Sequence, residues 1–128
     1  MKRFIMIVAA VAVIATAGHA QAKSGRMSMD ALEATGETEN CLRTYQFRET
    51  KVIDKSTILF RMNGNEYYVN RLPNRCFGLR RQGGFSYTIR GLNQLCSTDS
   101  IRVINTATGD LGQHCPLGKF EKLKRKEE

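Results

Sequence analysis

The chain has 128 residues, with 20 Lys and Arg against 12 Asp and Glu, a formal net charge of +8, four cysteines and two histidines. That length bounds it to one small domain, and a basic balance favours encounters with anionic partners through attraction that salt screens. Only His114 lies outside the first 22 residues, which argues against two-histidine acid–base chemistry and leaves a nucleophile–histidine pair a single candidate.

Residues 1–22 read as a cleavable signal peptide. Lys2 and Arg3 give a basic start, FIMIVAAVAVIATAG is an apolar run, and Ala20-Gln21-Ala22 has the small-x-small form of a cleavage site. The run is shorter than the roughly 20 residues that span a bilayer. Cleavage is expected after Ala22, without a cysteine there to carry lipid, and nothing later in the chain is apolar enough for a transmembrane segment. The expectation is an exported protein, periplasmic or secreted, whose charge falls to +6 when Lys2 and Arg3 leave with the leader.

Residues 23–40, KSGRMSMDALEATGETEN, hold two basic and four acidic groups and no aromatic, the composition of a flexible polar arm. A β domain is expected over 41–121, followed by a charged tail, KLKRKEE, over 122–128.

Cys41, Cys76, Cys96 and Cys115 are separated by 35, 20 and 19 residues. An even count in a short exported chain reads as two disulfides, whereas structural zinc pairs its ligands at C-x2-4-C spacing. No metal and no cofactor are expected. Of the three connectivities, Cys76–Cys96 with Cys41–Cys115 is the expectation, one local and one tying start to end.

From Cys41 the pattern alternates. LRTYQFRE puts Tyr45 and Phe47 on one face. In STILFRMNGNEYYVNRL, Asn63-Gly64 is a type I′ hairpin signal. A two-residue loop there pairs Met62 with Asn65, Arg61 with Glu66 and Phe60 with Tyr67, gathering Ile58, Phe60, Met62, Tyr67 and Val69 on one face. FSYTIR alternates with Phe85, Tyr87 and Ile89 inward, preceded by a Gly83-Gly84 hinge. SIRVIN does so with Ile101 and Val103, and LGKFEKL adds a last short strand around Phe120. Short strands between turns, without a convincing helix, predict an all-β fold: a small disulfide-stapled barrel or sandwich of short antiparallel strands.

Cys41, Ile53-Asp54, Ile58–Phe60, YYVNRL at Tyr67–Leu72, CFGL at Cys76–Leu79, FSY at Phe85–Tyr87, LCSTDSIRV at Leu95–Val103 and CPLGKF at Cys115–Phe120 form an ordered set. Together they resemble a family of small exported proteobacterial proteins defined only as a domain of unknown function. The resemblance covers residues 41–120 and implies a periplasmic or secreted bacterial protein with four cysteines, without an activity or catalytic residue to transfer.

Among candidate sites, Asp54 and Asp99 stand at strand entries, where aspartate caps turn N–H groups, and His114 reads as a loop residue. Arg71, Arg75, Arg80, Arg81 and Arg90 fall within 20 residues that hold no acidic group. Guanidinium forks suit carboxylates and phosphates. Tyr68 and Asn70 project opposite the hairpin's apolar face and join this tentative ligand-binding set, or pack beneath another strand. An exported address disfavours nucleic acid and favours an anionic cell-envelope component. The expectation is a non-catalytic binding module, with an interaction or inhibitor protein acting on another periplasmic protein as the alternative. A small hydrolase is the weakest reading.

Overall fold

A computed structural model describes residues 27–89 and 91–126. The expected signal peptide, its cleavage site and Arg90 lie outside them. Ten antiparallel strands form three sheets: β1 (Leu32–Glu39), β2 (Cys41–Arg43), β3 (Phe47–Asp54), β4 (Thr57–Met62), β5 (Tyr67–Arg71), β6 (Gly83–Tyr87), β7 (Gln94–Cys96), β8 (Ser100–Asn105), β9 (Leu111–Pro116) and β10 (Phe120–Arg125). The large sheet runs β1-β10-β5-β4-β3, a second β6-β8-β9, and β2 pairs with β7 alone. None closes on itself, so the all-β expectation holds in its sandwich form and not as a barrel. The short helix α1 (Leu79–Gln82) leads into β6, and single 3-10 turns occupy 29–31, 44–46 and 63–65.

Alternation along β4 sets the two faces of the large sheet. Ile58, Phe60 and Met62 join Tyr68, Phe120, Leu79, Ile101 and Val103 in the core between sheets. Phe60 is fully buried and meets Phe47, Phe120 and Phe85 at ring-centroid distances of 5.2, 5.5 and 6.4 Å. Leu59, Tyr67, Val69 and Leu123 form a strip on the outer face, which Met27 and Leu32 help to cover.

The hairpin register differs from expectation by one residue. Phe60 opposes Tyr68 and Arg61 opposes Tyr67, with the Met62 N–H donating to the Glu66 carbonyl at 2.7 Å. Asn65 as well as Gly64 takes a positive φ, +58° and +75°. The loop therefore holds three residues, Asn63 to Asn65, and the shift exchanges the faces of β5. Tyr68 enters the main core, Tyr67 joins the outer strip, and Arg61 lies 3.6 Å from Glu49 instead of meeting Glu66.

The flexible arm over 23–40 is corrected wherever it is described, because residues 32–39 are β1, paired with β10. The same ladder absorbs Lys122–Arg125 of the expected tail, so the β domain extends beyond 41–121 at both ends. Opposite charges serve the pairing: Glu33 lies 3.5 Å from Lys124, and Glu37 lies 3.6 Å from Lys122. Polar composition misread the arm because its apolar anchors are few, but Met27 and Leu32 are both buried.

The disulfides are Cys41–Cys96 and Cys76–Cys115, not the expected pairing. Cys41 stands directly opposite Cys96 in the β2–β7 ladder, which places their side chains side by side. Cys76, held by its N–H on the Lys55 carbonyl at 2.8 Å, meets Cys115 of β9 in the core. Smaller corrections follow from the strands. Gly83 and Gly84 are ladder residues of β6 rather than a hinge, Ile89 and Tyr45 are exposed, and His114 is an exposed residue of β9 rather than of a loop.

Asn70 closes the large sheet against the turn before β10. Its amide donates to the Gly118 carbonyl at 2.7 Å and accepts from the Gly118 N–H at 2.9 Å. A Cβ at Gly118 would collide with the carbonyl oxygen of Arg71, which is backbone and cannot swing aside. Gly118→Ala is therefore expected to cost about 2–4 kcal/mol, measured as a lower urea midpoint with unchanged slope.

Candidate functional site

The candidate site is organised around Cys76. β5 ends at Arg71, and the chain then crosses the turn between β3 and β4: the Leu72 N–H donates to the Ser56 carbonyl at 2.7 Å, and the Cys76 N–H to that of Lys55. Arg75 is thereby set beside Lys55 in the backbone path, and both are exposed. Leu79 then plugs the core, fully buried, and α1 turns Arg80 and Arg81 to the surface next to β3, the edge strand of the large sheet. Packing of one leucine thus fixes which way two arginines face.

Arg80 lines a recess of about 350 Å³ together with Lys51, Val52 and Ile53 of β3 and Ser28, Met29 and Asp30 of the N-terminal segment. Two cations and one carboxylate border it. The Lys51 ammonium donates to the Met27 carbonyl at 2.8 Å, which ties that segment across the sheet. Among the described residues, Arg75, Arg80 and Arg81 make no salt bridge. From residue 72 to residue 98 the chain contains no acidic side chain, so no neighbour in sequence neutralises them.

The other expected site residues part company with this cluster. Arg71 is engaged, its Nε 3.0 Å from Glu121 on β10. Tyr68 and Asn70 are buried, Tyr68 in the main core and Asn70 on Gly118, so neither presents a ligand-binding surface. The one-residue shift in the hairpin turned Tyr68 inward. Lys51 and Lys55 precede the arginines by 20 to 30 residues in sequence, and only the pairing of β3 with β4 and the crossing at Cys76 bring them near.

Both aspartates singled out at strand entries cap turns. Asp99 Oδ2 accepts the Cys96 N–H at 2.8 Å, and Asp54 Oδ1 accepts the Ser56 N–H at 2.9 Å. Partial burial pushes the Asp54 carboxyl up, but donation from the Ser56 N–H and the Thr57 and Ser56 hydroxyls, with the charge of Arg71, outweighs it and holds the pKa below the ordinary value. Burial pushes the Tyr68 phenol up, Glu66 adding to the effect and Lys122 opposing it. Among the described residues no group of three or more His, Cys, Asp or Glu side chains could hold a metal ion, and no helix is long and apolar enough to cross a membrane.

No protein-family model matches the chain, and neither a curated protein nor a solved structure matches it.

The folded pKa of Asp54 lies below its unfolded one, so its charge contributes stability above the ordinary carboxylate range and loses it as pH falls through the folded value. Asp54→Asn is therefore expected to be less stable than the parent near neutrality. The gap should close as pH falls from about 5 to about 2, as followed by urea unfolding at a series of pH values.

Proposed function

We propose that the protein is an exported, non-catalytic binding module. Its surface around α1 and the β3 edge takes an anionic ligand of the cell envelope, such as lipid-borne phosphate or an acidic glycan. The observation that carries this reading is that Arg80 and Lys51 line one recess, with Arg81, Arg75 and Lys55 exposed on the adjoining segments. Guanidinium groups not committed to carboxylates on the same chain keep their donors free for bidentate contact with phosphate or carboxylate. Asp30 borders the same recess and selects against a ligand whose charge is spread over that wall. Export is supported by the two disulfides, which persist in oxidising compartments, and by the leader-like first 22 residues.

A second reading, an interaction or inhibitor protein, is favoured by Phe77 and Leu111. They are 72 % and 54 % exposed and border another recess of about 320 Å³ against β8 and β9. Large apolar groups at an open recess suit a protein side chain better than a phosphate.

The test is binding of the oxidised protein to a soluble acidic oligosaccharide and to lipopolysaccharide across a salt series. Affinity should fall as salt rises, and Arg80→Ala with Arg81→Ala should weaken it roughly tenfold or more. Binding that neither salt nor the double substitution changes would contradict the proposal, and capture of another periplasmic protein that is lost in Phe77→Ser, without glycan binding by the parent, would favour the second reading.

A further inference from the structure

The isolated β2–β7 ladder has a buried root and an exposed tip. At the root, Leu42 opposes Leu95, both buried in the main core, and the Cys41–Cys96 disulfide crosses the same two strands. Beyond the last pair, Arg43 opposite Gln94, the strands separate into the turn at Thr44–Gln46 and the turn at 91–93. Thr44 clasps the two: its N–H and its hydroxyl both donate to the Asn93 carbonyl, at 2.9 and 3.0 Å. Rigid support thus continues to the end of the ladder.

Tyr45 and Leu92 adjoin this clasp and Ile89 lies three residues before Leu92, together three of the five large hydrophobic residues exposed on the described surface. Leu92 is 83 % exposed, Tyr45 63 % and Ile89 48 %. Arg43 stands among them, donating to the Tyr45 hydroxyl at 2.8 Å, which orients the phenol. Neither contributing segment, 40–48 or 72–98, contains an acidic residue, so no neighbour in sequence adds negative charge beside Arg43. Tyr45 and Leu92 stand on the turns that end the ladder. Such side chains leave water by entering something soft, and a neighbouring guanidinium selects an anionic one.

We infer that this tip is a membrane-contact element that docks the protein on an anionic bilayer surface. Leu92, Ile89 and the Tyr45 ring enter the headgroup boundary, and Arg43 meets lipid phosphate. Two weak signals combine: a few inserted side chains and basic groups drawn to anionic lipid, neither sufficient alone. The disulfide at the root keeps the tip from splaying when its side chains insert. This surface is separate from the recess at Arg80, and the inference does not rest on the ligand proposed there.

Co-sedimentation with vesicles tests it, using the oxidised protein purified from the producing cells. Its intact mass is recorded, so that retention of the apolar residues 4–18 is known. The protein should bind vesicles of phosphatidylglycerol and phosphatidylethanolamine, and bind phosphatidylcholine vesicles weakly. Tyr45→Ser with Leu92→Ser should bind the anionic vesicles roughly tenfold less well with an unchanged circular dichroism spectrum, because both positions are exposed. Arg43→Ala should lose much of the salt dependence. Arg80→Ala with Arg81→Ala, even where it weakens binding through the other surface, should leave the roughly tenfold effect of the Tyr45 and Leu92 substitutions in place, because the two surfaces act independently. Equal binding by the Tyr45 and Leu92 variant, or no parent binding to either vesicle, overturns the inference. In the latter case a chemical crosslink from the tip to another protein would reassign it as a protein contact.

Discussion

Between the five-stranded sheet and the β6-β8-β9 sheet there is no shared backbone ladder, so their registration depends on the core and on the bond between Cys76 and Cys115. Cys76 is fixed to the end of the large sheet through the Lys55 carbonyl, and Cys115 lies opposite Ile101 within the smaller one. The closed loop spans a sequence separation of 39 residues, for which restriction of the unfolded chain is worth about 4 kcal/mol in the chain-entropy model. A domain this small buries little apolar surface per residue, so a term of that size is a large share of its net stability. α1 begins three residues after Cys76, with the Leu79 N–H directed at the Cys76 carbonyl, so the same bond also sets where Arg80 and Arg81 emerge. Cys41–Cys96 instead staples two strands within the smallest sheet, at the base of its exposed turns.

Local alternation was legible in the sequence, and long-range partnership was not. Ile58, Phe60 and Met62 share a face in β4 as their spacing requires, and Ile101 and Val103 are buried in β8. The Asn63-Gly64 signal located the hairpin but not its loop length, because Asn65 also tolerates the left-handed conformation. A single residue of slip then moved Tyr67 and Tyr68 to opposite faces, which no local pattern could decide between two tyrosines. The acidic stretch near residue 35 and the basic one near residue 123 each resemble a solvated tail when read alone. They are cross-strand partners, and the charge that argued for disorder in each is what the pairing of β1 with β10 uses.

Clustering along the chain was an imperfect guide to clustering in space for the candidate site as well. The acid-free run of arginines did mark the surface around α1, because a short helix and its approach keep neighbours in sequence together. It could not reveal that Arg71 is neutralised by Glu121, 50 residues away, or that Lys51 and Lys55 stand beside the arginines. Asn70 illustrates the opposite failure. A polar residue beside a cluster of arginines suggested a ligand contact, yet it is fully buried and its amide both donates to and accepts from Gly118.

The measurement that bears most directly on this account is the disulfide connectivity. Digestion of the unreduced protein followed by mass spectrometry should yield one pair of peptides joined through Cys41 and Cys96 and another joined through Cys76 and Cys115. Peptides joined through Cys76 and Cys96, or through Cys41 and Cys76, would contradict the sandwich described here. They would also remove the anchors of α1 and of the β2–β7 ladder.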